Sequence, residues 1–445
     1  MLPLMLSAPT GVTVLALDTP GNGLSPALAL AEPTADDYAD ALAATLDALG
    51  VARVVVYGTH TGAAFGMALA LRYPHRVAAL LLDGIGAFSA PERAQLLASY
   101  LPPFVPLNDG THMAWLWSRV RDQATFFPWN HSTHDARLWV PLPSPLSLHA
   151  VALDFLLSGD AYRGPYAAAF RFQPAAVLSQ LRVPTWVAAR EGDVLLSHLN
   201  RLPTLALPVF RSSLPPKGSA WAQKVWVWLA EAAQGLEAVP PARDATLPVS
   251  SIGDTLIGPL GRRIHARGAL GGTGRPRIWL HASPGGARGL DRRLESELGQ
   301  HPVVALDLPG HGESDAYDGT LEELLVAMRD AASSLGLPDA EWAGEGLGAD
   351  IARALNGSKA VAGPEVATPA RFEPRADGGH LMAAWLHARD EAVFGSWWTR
   401  RLDDRHSCGD TLDLATIHAN AIESLKETPE AARLRSQWLA LRGVR

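Results

Sequence analysis

The sequence is first informative in what it lacks. Cys408 is the only cysteine among 445 residues, which excludes an intramolecular disulfide framework and favours a reducing compartment. No uninterrupted apolar run reaches the roughly 20 residues that a helix needs to cross a bilayer. The apolar start, residues 1–6, lacks the basic region and the long apolar run of a signal peptide. We therefore expect a soluble cytoplasmic protein with no membrane partner.

The sequence also has few basic residues relative to acidic ones. Acidic residues outnumber basic ones by 45 to 38, the net charge is −7, and no basic stripe is present, which argues against nucleic acid as a partner. The histidines are scattered, and no spacing among them predicts a metal site. The glycine turns at 21–23 and 310–312 do not complete the G-x-G-x-x-G pattern of dinucleotide binding. We expect no metal and no cofactor, and the oligomeric state is left open.

The sequence does contain an internal match. Residues 14–25, VLALDTPGNGLS, correspond to residues 303–314, VVALDLPGHGES, each an apolar strand that ends in an Asp and a Pro/Gly turn. Capping boxes predict that a helix follows each turn, closed by Leu-Gly; they are Thr34 with Asp37 and Thr320 with Glu323. A second strand then leads to GTHTG at 58–62 and GEGLG at 344–348.

The match resumes with an Asp-Gly-x-His motif at 109–112 and again at 377–380, followed at equal spacings by Trp, Arg, Asp, Phe and Trp. Between the copies, residues 236–250 hold three prolines and few large apolar side chains, as in a linker. The pattern predicts a first copy at 1–235 and a second at 251–445.

The order of these pieces resembles the α/β-hydrolase fold, close to its epoxide-hydrolase and haloalkane-dehalogenase branch. The segment HASPGG at 281–286 is similar to the family's oxyanion loop, and 183–193 is similar to its seventh strand with the acid that follows. The resemblance implies an α/β fold with a mostly parallel sheet and helical caps, here the Trp-rich segments at about 87–178 and 368–445.

The resemblance also implies an interrupted first copy. In the family's strand order, 1-2-4-3-5-6-7-8, the first copy supplies strands 4 to 8 and the second supplies strands 1 to 6. The first copy thus lacks strand 3, whose neighbours 4 and 5 would carry unpaired backbone groups. Strands 4 and 5 could close up, the second copy could donate its first strands, or the chain could be a fragment; the sequence leaves these alternatives open.

His60 occupies the elbow position where the family places its nucleophile, with the following N–H at the oxyanion position. An imidazole there cannot perform the usual Ser-to-His proton transfer. It could act as a general base on water, or less readily as a nucleophile, with Asp83 or Asp193 as its orienting acid and Thr61 as the oxyanion donor. The segment at 210–216, where the family's His would follow strand 8, contains none.

The remaining candidates are a glycine at the second elbow and two histidines, and each of the histidines has two interpretations. Gly346, at the second elbow, has no side chain and excludes a nucleophile there. His281 and Ala282 could form an oxyanion site, or His281 could only brace its loop. His112 could bind substrate near His60, or could simply lie in the first turn of a helix capped by its Asp.

Two functions follow as hypotheses. The first is a cofactor-independent hydrolase of a small, apolar substrate. The alternative is a retired hydrolase scaffold that acts as a binding or interaction protein.

Overall fold

The computed structural model describes residues 2–23, 25–237, 247–259, 261–316, 319–357, 372–394 and 412–441. The chain divides into two compact units. Unit 1 comprises Met1–Val105 and Ser118–Ala242, and unit 2 comprises Pro106–Trp117 and Arg243–Arg445. Among the described helices, none is long and apolar enough to cross a membrane.

Unit 1 is built on a parallel sheet of order β1-β2-β3-β4. Its strands are β1 (Val54–Thr59), β2 (Val77–Asp83), β3 (Thr185–Ala188) and β4 (Val209–Arg211). The β2 sequence, VAALLLD, is almost entirely buried, as expected for a parallel strand covered on both faces. The parallel arrangement brings the carboxyl ends of the strands to one edge, where the candidate site lies.

The helices α1–α9 follow in chain order. They are α1 (Leu2–Leu6), α2 (Ala35–Ala48), α3 (Thr61–Arg72), α4 (Ala90–Ser99), α5 (Thr111–Gln123), α6 (Pro145–Ser158), α7 (Arg163–Arg171), α8 (Pro174–Val177) and α9 (Ser219–Ala232). α3 buries eight consecutive residues from Ala63 to Ala70, because its small side chains allow close packing between the sheet and α2. Tyr38 of α2 stacks on Phe65 of α3 with ring centroids 4.3 Å apart.

The apolar run at 14–17, expected as the family's strand 4, forms no strand. Leu15 and Leu17 are 38% and 39% exposed, unlike the fully buried leucines of β2. Among the described residues no strand pairs with this run to complete its backbone hydrogen bonds, so the described sheet of unit 1 begins at β1.

Unit 2 contains a mixed sheet of order β5-β6-β8-β7-β9, which is the order 1-2-4-3-5 that the sequence predicts. Its strands are β5 (Gly253–Ile257), β6 (Ile264–Ala269), β7 (Arg277–Leu280), β8 (Val303–Leu306) and β9 (Glu341–Gly344). β6 runs antiparallel to both of its neighbours, β5 and β8, and the pairings of β7 with β8 and with β9 are parallel. Strand 6, which was also predicted for the second copy, is not among the described strands of unit 2. Each described strand pairs within the sheet of its own unit, which gives no support to strand donation.

The helices of unit 2 complete the chain. They are α10 (Asp291–Glu297), α11 (Leu321–Ser334), α12 (Leu347–Leu355), α13 (Gly379–Phe394), α14 (Leu414–Leu425) and α15 (Pro429–Leu441). The predicted capping boxes are confirmed at the starts of α2 and α11. Most of the predicted linker lies outside the described residues, but Leu247 is buried in the core of unit 2.

The segment 106–117 departs from the predicted boundary, because it belongs to unit 2. Two reciprocal contacts explain this: His112 packs edge-on against Trp385 at 4.5 Å, and Trp117 packs edge-on against His380 at 5.0 Å. The Trp117 indole also donates a hydrogen bond to the carbonyl of Ala376. The first turn of α5 is therefore held by α13 and the residues before it.

Candidate active site

The elbow between β1 and α3 holds His60 in a strained backbone conformation. Its φ of 49° and ψ of −111° make it the one described residue other than glycine with a positive φ. Such a conformation costs about 1–3 kcal/mol and persists only where the surroundings impose it. Here Gly58 allows the turn to close, since a Cβ on it would lie 2.3 Å from the carbonyl oxygen of Gly62. The turn thus places an imidazole, 42% exposed, at the carboxyl edge of the sheet.

Asp193 is the partner of His60. The Nε2 atom of His60 lies 3.0 and 2.9 Å from the two carboxylate oxygens, across 133 residues of sequence. The Asp193 side chain is only 6% exposed, and burial alone would raise its pKa. The hydrogen bond from His60, its charge and the N–H of Leu195 outweigh this effect and lower the pKa of Asp193 to about 2. Asp193 is therefore an anion at neutral pH.

This contact determines which nitrogen of His60 is available. Since the Asp193 carboxylate accepts a hydrogen bond from Nε2, a neutral His60 carries its proton there and its lone pair on Nδ1. Among the described residues, no hydrogen bond occupies Nδ1. The arrangement fixes the orientation of a partly exposed imidazole at the edge of the sheet, as a carboxylate orients the His of a triad.

Arg190 connects Asp193 with the second candidate acid. Its Nη2 lies 2.9 Å from Asp193, and its Nε lies 3.4 Å from the Asp83 carboxylate. It also reaches the hydroxyl of Thr59 at 3.4 Å and lies over the ring of Trp221. The guanidinium therefore forms ion pairs with both carboxylates.

Asp83 itself does not contact the His60 side chain. It lies at the end of β2, and its carboxylate accepts hydrogen bonds from the hydroxyl of Tyr57 at 2.7 Å and from the indole of Trp221 at 3.3 Å. Burial and the adjacent Asp83 raise the pKa of Tyr57 well above its usual value. The one link to His60 is through the backbone, where the N–H of His60 donates to the carbonyl of Asp83. The structure thus brings Asp193, and not Asp83, to the imidazole.

Gly84 lies directly against the imidazole of His60. Its φ is 76°, and a Cβ on it would lie 2.8 Å from Cδ2 of His60 and 3.2 Å from Asp193. Thr61 and Gly62 begin α3, so their N–H groups have no partner within the helix. They lie beside His60 at the positive end of the helix dipole, where a developing anion is stabilised.

His112 and His198 are each buried among other contacts within their own units. His112 is buried in unit 2, where its Nδ1 accepts a hydrogen bond from the N–H of Leu107 and its ring contacts Trp385. Burial lowers the pKa of His112 to about 4. The contacts favour the packing interpretation of His112 over the substrate-binding one. His198 packs against Phe88 in unit 1, and burial likewise lowers its pKa to about 4.

The elbow of unit 2 has the same backbone and no functional side chain. Gly346 has φ 52° and ψ −123°, close to the values at His60. A Cβ on Gly346 would lie 2.9 Å from the Cβ of Ala282, so the loop at 281–286 fills the space in front of this elbow. His281 is 2% exposed and braces that loop, since its Nδ1 bonds the carbonyl of Ala282 and its Nε2 accepts from the N–H of Leu308.

Behind this elbow lies a buried charge network. His265 bonds Asp307 through Nδ1 at 2.7 Å and Asp254 through Nε2 at 2.9 Å. Burial opposes its protonation, but these two hydrogen bonds prevail and raise the pKa of His265 to about 9. Asp307 also accepts from the N–H groups of Ala287 and Glu313. The buried carboxylate therefore connects β6 with the segments that contain Ala287 and Glu313.

Comparisons with known proteins agree with this architecture. A family model described as the alpha/beta hydrolase fold matches residues 2–171. The matched region, residues 2–171, is therefore similar to the α/β-hydrolase fold family, and it covers less than half of the chain. A 79-residue stretch is 38% identical to a 2-hydroxy-6-oxononadienedioate/2-hydroxy-6-oxononatrienedioate hydrolase of Burkholderia vietnamiensis. The match covers 18% of this chain and 27% of the relative, so the chain spans about a quarter of that enzyme's length.

Some solved hydrolase structures are also similar to part of this chain, at low identity and low TM-score. A hydrolase from Pseudomonas aeruginosa is 20% identical with a TM-score of 0.34, over 48% of this chain and 75% of that one. A thermophilic esterase from Thermogutta terrifontis is 18% identical with a TM-score of 0.31, over 48% and 78%. These similarities concern the fold alone.

Within this hydrolase fold, Arg190 is the site residue that sequence reasoning missed. It follows β3 directly and precedes Asp193 by three residues. Its position in the segment at 183–193 was visible, but nothing local indicated that its side chain would reach both acids. Among the described residues, no group of three or more His, Cys, Asp and Glu side chains could hold a metal ion.

Proposed function

We propose that unit 1 is a cofactor-independent hydrolase of a small, apolar ester-like substrate, with His60 as a general base held by Asp193. The contact between Nε2 of His60 and both oxygens of Asp193 carries this proposal. A buried carboxylate fixed by Arg190 and by a backbone N–H is a rigid anchor, as the orientation of a catalytic base requires.

The proposed reaction begins with a water molecule beside Nδ1 of His60. Nδ1 takes a proton from the water while its oxygen attacks the substrate carbonyl, and Asp193 stabilises the imidazolium that forms. The N–H of Thr61 stabilises the tetrahedral oxyanion at the start of α3. Collapse of the intermediate breaks the bond between the carbonyl carbon and the ester oxygen, and the imidazolium returns its proton to the leaving alcohol. The products are a carboxylic acid and an alcohol.

Unit 2 supports a different interpretation of its own elbow. Gly346 offers no side chain and Ala282 fills the adjacent space, which supports a non-catalytic role there. The second function, a retired scaffold that binds a ligand, therefore stays a proposal with specific support in unit 2. We further propose that the two units descend from one duplicated hydrolase and that α4 and α6–α8 act as the cap of unit 1.

The experiment is a turnover assay of the full chain on activated esters, epoxides and haloalkanes. His60→Ala should lower kcat/KM by about 10²–10⁴-fold, the usual contribution of general acid–base catalysis. Asp193→Asn should lower it less and alter the pH profile, because it preserves shape and removes the charge that supports the imidazolium. His134→Ala, a histidine whose side chain is 81% exposed, is the matched control and should leave turnover unchanged.

Free imidazole also cleaves activated esters, so the rate must saturate with substrate and exceed that of imidazole at equal concentration. If His60→Ala retains full kcat/KM, the proposed base is wrong. If the folded wild-type chain shows no saturable turnover, the binding scaffold is the better description.

A further inference from the structure

Arg119 is a buried cation in unit 1 that the proposed hydrolysis does not use. It lies on α5, and its residue is 1% exposed. Its Nη1 donates a hydrogen bond to the side-chain oxygen of Gln123 at 2.7 Å. Among the described residues, Nε and Nη2 have no hydrogen-bond partner and no carboxylate forms an ion pair with the guanidinium. A buried charge without a counter-ion is costly, so its presence calls for a compensating group.

Aromatic rings surround the guanidinium, but their faces do not accept hydrogen bonds from Nε and Nη2. The guanidinium carbon lies 4.1 Å from the ring centre of Phe155, 4.9 Å from that of Trp129 and 5.4 Å from that of Tyr162. These cation–π contacts stabilise the charge across the faces of the rings. N–H groups in the guanidinium plane require acceptor oxygens, which ring faces lack. Burial lowers the pKa of Arg119; the nearby tyrosines, among them Tyr162, whose hydroxyl accepts a weak hydrogen bond from the guanidinium, only partly oppose this.

The unpaired atoms identify the missing partner by their geometry. Nε and Nη2 form one edge of the guanidinium and donate two parallel hydrogen bonds, which match the two oxygens of a carboxylate. Elsewhere in this chain the same edge binds a carboxylate with two bonds of 2.6 to 3.0 Å. The three pairs are Arg72 with Asp40, Arg263 with Asp315 and Arg267 with Asp291.

We propose that Arg119 is the anchor of a binding site for an organic acid, whose carboxylate takes the Nε–Nη2 edge and whose apolar body lies among the surrounding rings. The site does not depend on catalysis by His60. Aromatic contacts extend from it towards the elbow: Tyr100 meets Phe170 at 5.3 Å, and Phe170 meets Phe88 at 5.7 Å. Phe88 follows β2 by five residues, after the Gly84 that covers His60.

The test measures ligand-dependent thermal unfolding of the full chain. Hexanoate supplies a carboxylate on an apolar tail, and hexanamide has the same shape without the charge. Because a ligand that binds only the folded state raises the midpoint as its concentration rises, the titration gives an apparent Kd. Hexanoate should raise the midpoint at concentrations where hexanamide does not.

Three variants locate the effect. Arg119→Met removes the charge at similar length and should weaken the apparent Kd for hexanoate by at least about tenfold. Its midpoint without ligand should be unchanged or higher, since it removes an unpaired buried charge. Arg119→Lys keeps the charge and removes the two-donor edge, so it should also weaken binding. Arg137→Met is the matched control, because it removes an exposed arginine that lies over Trp139, and it should bind as the wild type does.

Three outcomes would overturn the site. One is an absent or equal response of the wild type to hexanoate and hexanamide. Another is a hexanoate response that survives Arg119→Met. If Arg119→Met does not fold, a wild-type Kd in Arg119→Lys has the same meaning, since the lysine lacks the edge on which the proposal rests.

Discussion

The two elbows of this chain have similar backbone conformations and differ in the side chain at the turn. His60 and Gly346 have φ values of 49° and 52°, and each is followed by a helix. In unit 1 the space above the elbow holds an imidazole and its acid, while in unit 2 the space is filled by Ala282. The comparison shows that the turn is a property of the glycines around it, and that the chemistry depends on what the rest of the fold leaves in front of it.

The charges around the two elbows differ as well. In unit 1 the buried group is an acid, Asp193, whose pKa is lowered by a half-exposed histidine. In unit 2 the buried group is a histidine, His265, whose pKa is raised by two acids. In the first arrangement only Nε2 of the histidine has a hydrogen-bond partner among the described residues, and in the second both ring nitrogens are bonded to carboxylates. The same residue types thus support a potential site in one unit and rigidity in the other.

The largest expected loss of stability comes from placing a histidine at the second elbow as well. Gly346→His should destabilise unit 2 by about 3 kcal/mol, because the new Cβ meets Ala282 and the side chain must adopt a positive φ. It should add no hydrolysis. Denaturant unfolding of the full chain measures the loss. Gly336→Ala is the control, since it has a positive φ with nothing within 4 Å of its Cβ. Equal losses in the two variants would contradict the account of a filled elbow.

A second effect, of similar size, is alkaline loss of stability in unit 2. His265 has a folded pKa of about 9 against about 6.5 when unfolded, so its contribution is complete below pH 6.5 and is lost as pH rises through 9. The integrated contribution is about 3 kcal/mol. Hydrogen exchange of the β6 and β8 amides between pH 6 and 9.5, corrected for intrinsic rates, measures it. His265→Gln should remove the pH dependence, and an unchanged dependence in this variant would disprove the assignment.

Unit 1 should show the opposite dependence, and a weaker one. The pKa of Asp193 is about 2 in the folded state, below its usual value, so its contribution is present above pH 4 and is lost as pH falls through 2. Because His60 is 42% exposed, solvent screening reduces the contribution to about 1–2 kcal/mol. Acid unfolding of the wild type and of Asp193→Asn measures it. The variant should lose the steepest part of the acid transition; an identical acid transition in both would argue against the pair.

The smallest effect should be the same in both units. Thr34→Ala and Thr320→Ala each remove the side chain of a capping box and should each cost about 1 kcal/mol. Thr45→Ala, inside α2, is the control and should cost less, because alanine favours a helix interior. Thermal unfolding midpoints measure all three. Unequal cap costs would show that the surroundings of the two helices differ more than their local hydrogen bonds do.

The sequence correctly predicted the features that depend on nearby residues or on the order of motifs. The capping boxes, the elbow turns and the strand order of unit 2 follow from nearby residues or from the order of motifs, and the structure has each of them. The run at 14–17 was a different matter, since its apolar pattern suits a strand but its ladder partner is missing. A strand depends on a neighbour that a local pattern does not contain.

By itself, the sequence determined the fold family, the two elbows and the absence of a side chain at Gly346, because steric limits on the backbone act over a few residues. Only the tertiary structure decided that Asp193 and not Asp83 meets His60, that Arg190 joins the two acids, and that Arg119 is buried with an unpaired edge. These contacts link residues far apart in sequence, and their side-chain distances depend on how the whole sheet and its helices pack.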